Sequence, residues 1–418
     1  MASQSTSPAS KSANNYLVPF IIVTALFGIF GFLTNLNSNL APKLEEIFKL
    51  NHAWSNLVTS AWFFAYLLFS VPSAKLIEKV GYKSTMVISL FIMVVGALLF
   101  FPAANMAATS IGFPLFLTAS FVLATGVCAL QTSANPYVSI LGPEDSAPAR
   151  LTLAQAFNSL GSALAPLVVG AFILTGSSIT DEKAIAHTVQ GPYLAIAISL
   201  LVLGFVVMFL HLPAITATRD FRPSDANAIS GKSIWSHSHT VLGMVGIFFY
   251  VGVEIALAAN AIQFFKTQGI DNKETAALLA SFYMFAIMIG RFAGTVVMKW
   301  IKASKLLAGL GIFGIALMLL AMATTGQVAV WSLILCGLAN SIMYPTIFAL
   351  GIAELGPLTS KGSGVITIGN FGGAVIPPLF GYLAVLFGGY RLAFVLPIVC
   401  YLFISYYGFS GYKPARDA

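Results

Sequence analysis

The sequence predicts an all-α membrane protein with twelve transmembrane helices in two pseudo-symmetric six-helix halves. Its composition is the first reason: 58% of residues are hydrophobic and 8% are charged, against the roughly 25% charged residues of an average soluble domain. The second reason is a series of apolar segments of about 20 residues, each long enough to cross a bilayer as a helix. The third is a polar pattern that occurs twice, once in each half of the chain.

The predicted spans follow one another along the whole chain, separated by short polar connections. The alternative, a large soluble α protein, is disfavoured because the few charged residues could not cover the surface of so large an apolar core. The twelve spans are expected near residues 16–39, 55–78, 84–103, 111–140, 150–175, 191–211, 240–266, 274–299, 305–324, 328–353, 361–386 and 391–411.

The longest connection divides the spans into two sets of six. The N-terminal tail is rich in Ser and Ala, which indicates disorder, and it lacks the apolar core of a cleaved signal peptide. All three cysteines fall within predicted spans, so neither a disulfide framework nor a zinc site is indicated. The expected organisation is a tail at 1–15, an N-terminal half at 16–211, a cytoplasmic linker at 212–239, a C-terminal half at 240–413 and a tail at 414–418.

Lys and Arg are distributed unequally between the two sides of the predicted membrane. If the N-terminus is inside, 14 of the 21 lie on the cytoplasmic side and six outside, with Arg291 inside a span. This excess follows the positive-inside rule, so both termini are predicted to be cytoplasmic. The net charge of +7 therefore reflects topology. Nucleic-acid binding is not expected, because basic and aromatic residues are not interleaved.

The repeated polar pattern places amides and prolines at matching positions in both halves. Asn158 and Asn370, which lie 212 residues apart, each begin an Asn-x-x-Gly-x-x-x-x-Pro segment. An amide within an apolar helix costs free energy unless it meets a partner or lines a cavity. Proline breaks a helical hydrogen bond and permits bending. Duplicated halves of this kind are typical of a transporter with a central polar site. The copies comprise residues 131–136, 141–143 and 158–166, and residues 340–345, 355–357 and 370–378.

The connection between the second and third spans, residues 74–83, resembles the signature Gly-x-Leu-Ala-Asp-Arg-x-Gly-Arg-Lys of the major facilitator superfamily. In that family the acidic residue pairs with basic groups across the interface between the halves and latches the outward-facing state. The resemblance gives Glu78 the acidic role in gating and makes Lys79 and Lys83 the bases. Gly81 would permit the tight turn.

Longer motifs narrow the resemblance to the fucose–galactose–glucose permease family, closest to its bacterial glucose/galactose branch. The likeness extends from about residue 20 to residue 413 and implies cation-coupled uptake of a monosaccharide across the bacterial inner membrane. It rests on residues 34–42, 131–136, 150–161 and 340–348.

A sugar site can be placed from helical spacing, because residues three or four apart share a helix face. Amides suit sugars because they offer both donors and acceptors to hydroxyl groups. For Asn158 and Asn370 the alternative is hydrogen bonding between helices, and for the aromatic residues it is plain packing. The expected substrate-binding residues are Asn35, Ser38, Asn39, Gln131, Asn135, Gln155, Asn158, Asn260, Gln263, Asn340, Tyr344 and Asn370, with Trp62 and Tyr66 supplying rings.

One departure from the family affects coupling. The fucose permease has carboxylates in helices one and four where this chain has Ser38 and Gln131, so its proton route cannot be transferred. Glu254 lies about 14 residues, or roughly 21 Å, into the seventh span, and an acid at that depth is costly and functional by default. It could carry a proton, or hold Na⁺ with oxygens from Asn260 or the backbone; a structural hydrogen bond is the alternative. Because the branch includes sodium-coupled members, Na⁺ is slightly favoured.

Arg291 lies about eight residues from the cytoplasmic end of the eighth span, near enough to reach that surface, and a gating or structural role is expected. The sequence thus predicts a secondary active hexose transporter that works by alternating access as a monomer. The alternatives are an uncoupled hexose facilitator, an N-acetylglucosamine or fructose transporter of the same family and, more distantly, a non-transporting membrane sensor. An enzyme is not expected, since no nucleophile–base set, phosphate loop or metal cluster is visible. No cofactor is expected beyond the coupling ion.

Overall fold

A computed structural model describes residues 9–47, 52–106, 109–173, 182–210, 212 and 233–414. Side chains are described for these residues except 9–15, 36–47, 52–59, 166–173 and 182–189. Most of the predicted linker and parts of both tails lie outside the described residues. Within the described parts of the chain the structure is all-helical, with no strand.

The N-terminal half contains six helices, two of which join without a break in hydrogen bonding. The long helix His52–Asn105 turns at Gly81, whose φ of 82° is the left-handed conformation that glycine adopts without strain. We treat residues 52–80 as α2 and residues 82–105 as α3. The other helices are α1 (Ala9–Ile47), α4 (Gly112–Ile140), α5 (Ala147–Ile173) and α6 (Glu182–Phe209). The first helix thus begins inside the predicted N-terminal tail.

The C-terminal half also contains six spans, and three of them are interrupted. Its continuous helices are α7 (Ser238–Thr267), α8 (Lys273–Val297) and α9 (Ala303–Ala323). The interrupted spans are α10 (Gln327–Asn340 and Met343–Gly351), α11 (Thr359–Ile368 and Gly372–Leu386) and α12 (Tyr390–Ala393 and Val395–Tyr406).

Length and hydropathy support a membrane location. Ten stretches of the described chain are long and apolar enough to cross a bilayer, and one of them, Ser60–Asn105, is 46 residues long and contains the turn between α2 and α3. Counted as two passes and taken together with α5, they accommodate the twelve predicted spans. The protein is an integral membrane protein.

Glycines bring the same pairs of helices together in each half. In the N-terminal half, a Cβ at Gly161 of α5 would collide with the carbonyl oxygen of Gly28 in α1. In the C-terminal half, a Cβ at Gly372 of α11 would collide with the carbonyl oxygen of Phe248 in α7. Small residues allow such backbone contact between membrane helices. The duplication seen in the sequence is therefore also a duplication of helix packing.

The two halves meet at the end of the bundle that carries the α2–α3 turn, which we call the α2–α3 end. The Ser363 hydroxyl of α11 donates to the Thr132 carbonyl of α4 (2.6 Å), and the Glu354 amide donates to the Glu144 carboxylate (2.9 Å). Among the described residues, hydrogen bonds and ion pairs between the halves lie from mid-depth to this end. The structure is therefore closed at the α2–α3 end.

Gly364 should be necessary for this closure. A Cβ at Gly364 would lie 2.6 Å from the Ala74 Cβ and 3.0 Å from the Ser70 carbonyl oxygen, both in α2. We predict that Gly364→Ala destabilises the structure by about 1–3 kcal/mol through overpacking. Because all three cysteines are buried, a thiol-reactive dye can follow thermal unfolding.

Gly381 in the same span provides the control, because nothing lies within 4 Å of its added Cβ. Gly381→Ala should leave the unfolding midpoint unchanged or slightly raised. Equal midpoints for the two variants would show that the α2–α11 contact is loose.

Candidate functional site

Three of the predicted site residues meet where the two halves face each other. Asn135 in α4 donates from Nδ2 to the Tyr344 hydroxyl in α10 (3.3 Å) and accepts at Oδ1 from Nε2 of Gln155 in α5 (3.4 Å). Both distances exceed the usual range for hydrogen bonds from nitrogen to oxygen. Such weak bonds can be exchanged for bonds to the hydroxyl groups of a ligand. We call these residues the inter-half cluster.

Tyr66 and Gln131 form a second pair near this cluster. The buried Tyr66 hydroxyl donates to Oε1 of the partly exposed Gln131 at 3.4 Å. Gln131 also borders a small cavity inside the N-terminal half, which is otherwise lined by apolar side chains of α1, α3, α4 and α6. A sugar in that cavity would leave most of its hydroxyls unpaired, at a cost for each one. The inter-half cluster is therefore the better candidate for a polar binding site.

Asn370 brings α11 towards the cluster at the interruption of that span. Its side chain lies beside Tyr344, and its Nδ2 donates to the Thr367 carbonyl at 2.9 Å. The Thr367 hydroxyl is buried and has no hydrogen-bond partner among the described residues. This hydroxyl adds a polar group with unused bonding capacity on the C-terminal side.

The repeated asparagine of the N-terminal half has a different environment. Asn158 donates from Nδ2 to the Phe27 carbonyl of α1 at 3.1 Å. Its amide nitrogen therefore holds α5 against α1, which is the helix-packing alternative considered for this residue.

Asn340 does not join the inter-half cluster. It is completely buried within the C-terminal half, where Nδ2 donates to the Tyr283 hydroxyl (2.7 Å) and Oδ1 accepts from the Tyr401 hydroxyl (2.9 Å). These short bonds tie α10 to α8 and α12. The structure therefore gives Asn340 a place in helix packing.

Asn260 does not join the cluster. Asn260 donates to the Ala256 carbonyl of its own helix and accepts from Tyr390 at 3.5 Å. Gln263 is exposed on α7, and Trp62 and Asn35 are partly buried. The side chains of Ser38 and Asn39 lie outside the described residues.

Arg291 connects three elements in the middle of the bundle. Its Nη1 donates to the Gln155 carbonyl (3.2 Å) and to the Ser159 hydroxyl, both in α5 of the other half. Its Nε donates to the Ser341 carbonyl in α10 at 3.1 Å. With 8% of its surface exposed, it does not reach the membrane surface. The expectation that it could do so is wrong, because buried acceptors on α5 and α10 hold the guanidinium.

Glu254 supplies the counter-charge for this arginine. Its Oε1 lies 3.9 Å from Nη2 of Arg291, an ion pair too long for a direct hydrogen bond. The Glu254 side chain is 20% exposed. The chain of contacts from Glu254 through Arg291 to Gln155 and Asn135 links the intramembrane acid to the inter-half cluster.

Proline explains why the Ser341 carbonyl is available to Arg291. Pro345 has no N–H, so the carbonyl four residues earlier, that of Ser341, loses its helical donor. The matching proline of the first half, Pro136, frees the Thr132 carbonyl in the same way, and this carbonyl accepts from Ser363. The repeated prolines thus create two acceptors for bonds between helices, one of which crosses between the halves.

The predicted gating turn has the expected backbone and an unexpected partner. Glu78 pairs with Lys361 at the start of α11, at 3.6 Å, and not with Lys79 or Lys83 as the resemblance suggested. Lys361 belongs to the C-terminal half and lies across the interface from Glu78. Lys79 and Lys83 belong to the N-terminal half, in the same turn as Glu78. Both partners are well exposed, so the pair contributes about 1 kcal/mol at most.

Sequence reasoning missed Ser159, Tyr250 and Lys361. Ser159 and Tyr250 are small or aromatic residues in apolar helices, a pattern that ordinary packing also produces. Lys361 could have been found, because it is a basic residue at the start of the span that follows the second Leu-Gly-Pro turn.

Two bundles of six helices, with an uncharged polar cluster and an intramembrane ion pair at their interface, are typical of a membrane transporter. Residues 21–369 match the profile of the Major Facilitator Superfamily. The chain belongs to the major facilitator superfamily.

Relatives with known names cover nearly the whole chain. It is 40% identical over 410 residues to the glucose/galactose transporter of Brucella abortus strain 2308, covering 97% of this chain and 96% of the relative. It is 31% identical over 414 residues to the L-fucose-proton symporter of Escherichia coli K12, covering 94% and 92%. The crystal structure of FucP in the outward conformation superposes with a TM-score of 0.84 at 30% identity, covering 95% of this chain and 99% of FucP. These relatives are transporters and not enzymes.

The different settings of Asn340 and Asn135 can be tested by matched substitutions. Asn340→Leu would leave the Tyr283 and Tyr401 hydroxyls buried without partners, so we expect a loss of about 3 kcal/mol of stability. Asn135→Leu breaks longer bonds and should lower the thermal unfolding midpoint by much less. If Asn135→Leu is the more destabilising, the division into a structural and a ligand-facing amide is wrong.

Proposed function

We propose that this protein imports a neutral monosaccharide of the glucose/galactose class by cation symport across the bacterial cytoplasmic membrane. The observation that carries the proposal is the uncharged cluster of amides and hydroxyls between the halves, connected to an intramembrane carboxylate through Arg291. The names of the glucose/galactose and fucose relatives support a sugar as the substrate.

The chemistry of the cluster suits a sugar better than an ion. Asn135 and Gln155 offer amide donors and acceptors, Tyr344 offers a hydroxyl, and Gln131 adds an amide beside the cluster. These groups match sugar hydroxyls, each of which both donates and accepts. The Tyr66 and Tyr344 rings could pack on the C–H face of the sugar ring.

Glu254 is the proposed coupling residue. Among the 14 acidic residues of the chain, it is the one that lies deep within a span. A carboxylate there can bind a proton or Na⁺ when it faces one side of the membrane and release it at the other.

The contacts around Glu254 favour a proton over Na⁺ as the coupling ion. Sodium needs several oxygen ligands, and the predicted contributor Asn260 directs its oxygen to Tyr390 instead. The family likeness favoured Na⁺, so both ions have to be compared experimentally.

The positive-inside distribution predicts that the α2–α3 end and both termini are cytoplasmic. With that orientation the closed α2–α3 end makes this the outward-facing state. The similarity to FucP in the outward conformation supports this view. We propose that a monomer suffices, because both halves of the site come from one chain.

Three further functions remain as alternatives. An uncoupled hexose facilitator is the first, since the carboxylates of the fucose permease are replaced at Ser38 and Gln131. A transporter of N-acetylglucosamine or fructose would use the same kind of site. A non-transporting sensor is more distant, because it would not need an ion pair joined to the inter-half cluster.

Reconstitution separates these functions. Purified protein in liposomes is given radiolabelled glucose under an imposed pH gradient and, in parallel, under a Na⁺ gradient. Accumulation under the pH gradient alone supports proton symport, and accumulation under Na⁺ alone supports sodium symport. Equilibration without concentration under both supports the facilitator. If glucose does not enter at all, the assignment of glucose as the substrate is wrong.

Glu254→Gln should separate coupling from transport. We predict that gradient-driven accumulation falls at least tenfold while counterflow of labelled glucose persists, because the amide cannot take up the cation. The control is Glu274→Gln at an exposed position of the α8 N-terminus, which should accumulate glucose normally. Undiminished accumulation by a folded Glu254→Gln protein would contradict the assignment.

A further inference from the structure

Arg291 makes polar contacts with both halves of the bundle. Its closest contacts across the interface are with α5, where Nη1 donates to the Ser159 hydroxyl and the Gln155 carbonyl. Its contact with Glu254, in its own half, is longer at 3.9 Å. While the α2–α3 end is closed, the guanidinium therefore donates hydrogen bonds to α5 and makes none to Glu254.

The Glu254 carboxylate is consequently short of donors. An ionised carboxylate at this depth requires several hydrogen bonds, but Arg291 stays 3.9 Å away. The Tyr250 hydroxyl, one turn earlier on α7, lies beside the carboxylate without reaching a hydrogen bond of normal length. A carboxylate with so few donors can take up a cation.

The remaining titratable groups near Glu254 do not relieve this shortage. Tyr283 of α8 directs its hydroxyl to the main-chain oxygen of Glu254 at 3.4 Å and bonds Asn340. Tyr344 of α10 bonds Asn135. Arg291 is the one positively charged group among the described side chains that face the carboxylate.

Opening of the α2–α3 end would change this balance. Ser159 and Gln155 belong to the N-terminal half and move away with it, so the Nη1 donors of Arg291 lose their acceptors. Glu254 is then the acceptor nearest to the guanidinium within the same half. A full arginine–carboxylate pair, with two parallel hydrogen bonds, is strong and competes directly with a bound cation.

We propose that Ser159 is a positioning residue for cation coupling: by holding Arg291 on α5, it keeps Glu254 free to bind its cation while the α2–α3 end is closed. Release of that bond on opening lets Arg291 pair with Glu254 and expel the cation. This inference rests on the proposed function, and it gives α5, which carries no acid at this depth, a part in coupling.

Ser159→Ala tests the proposal in liposomes with radiolabelled glucose. Uptake is titrated with NaCl at fixed pH and, separately, across a series of external pH values without Na⁺. Without its hydroxyl partner Arg291 should pair with Glu254 even in the closed state. We expect the half-saturating concentration of the driving cation to rise about tenfold, equivalent to about one pH unit towards acid for a proton. The KM for glucose in counterflow should stay unchanged.

Two neighbouring variants serve as controls. Ser162→Ala removes a hydroxyl from the same helix, but this one donates to the Gly31 carbonyl within the N-terminal half at 3.1 Å, so cation dependence should stay normal. Ser159→Thr retains a hydroxyl and should restore the wild-type cation dependence.

The outcomes separate this inference from the proposed function. If wild-type uptake is driven by a cation and Ser159→Ala responds to that cation like Ser162→Ala, the role of Ser159 is overturned and the symport proposal stands. If neither ion drives uptake by the wild-type protein, both proposals fall. A change in the glucose KM without a change in cation dependence would make Ser159 part of the sugar site and contradict the inference.

Discussion

A guanidinium in the middle of an apolar bundle is the constraint on which the rest of the site depends. Arg291 carries five N–H donors and a charge that cannot be removed by deprotonation. Burial is tolerable only if acceptors and a counter-charge surround it. The chain meets this demand with groups from three other spans: the Gln155 carbonyl and Ser159 hydroxyl of α5, the Ser341 carbonyl of α10 and the Glu254 carboxylate of α7. The closed state is therefore tied to the electrostatics of one residue.

The backbone supplies part of this solution through the repeated prolines. Pro345 frees the carbonyl that receives Arg291, and Pro136 frees the carbonyl that receives Ser363 from the other half. The Ser341 carbonyl lies at the interruption of α10, and the Thr132 carbonyl lies at a contact between the halves. The surface pair of Glu78 and Lys361 adds little to this arrangement because both residues are solvated. We infer that the buried bonds, more than the surface latch, hold the α2–α3 end closed.

Much of the architecture could be predicted because it depends on patterns with a definite period. The apolar spans, the duplicated halves and the turn at Gly81 follow from segment length, repeat spacing and glycine chemistry. Gln131 and Asn135 could be placed on one face because they are four residues apart, and the structure brings Asn135 to Gln155 and Tyr344.

Other features could not be predicted, since they depend on contacts between distant parts of the chain. Asn340 belongs to the same repeated pattern as Asn135, yet it does not join the cluster. Its amide is hydrogen-bonded to Tyr283 and Tyr401, which lie 57 and 61 residues away in the sequence. The sequence showed that Arg291 lies inside the eighth span, but the direction of its side chain depends on acceptors in the other half. The partner of Glu78 was likewise set by tertiary packing, which placed Lys361 across the interface.

A distance measurement across the closed end tests the central claim most directly. Spin labels can be placed at Ser84 of α3 and Lys305 of α9, both exposed and near the α2–α3 end in opposite halves. In the wild-type protein we predict a narrow distribution, and in Arg291→Gln a longer and broader one. Arg391→Gln, at an exposed arginine that donates to the Thr324 carbonyl, should behave like the wild type. An unchanged narrow distribution in Arg291→Gln would show that the buried arginine does not hold the halves together.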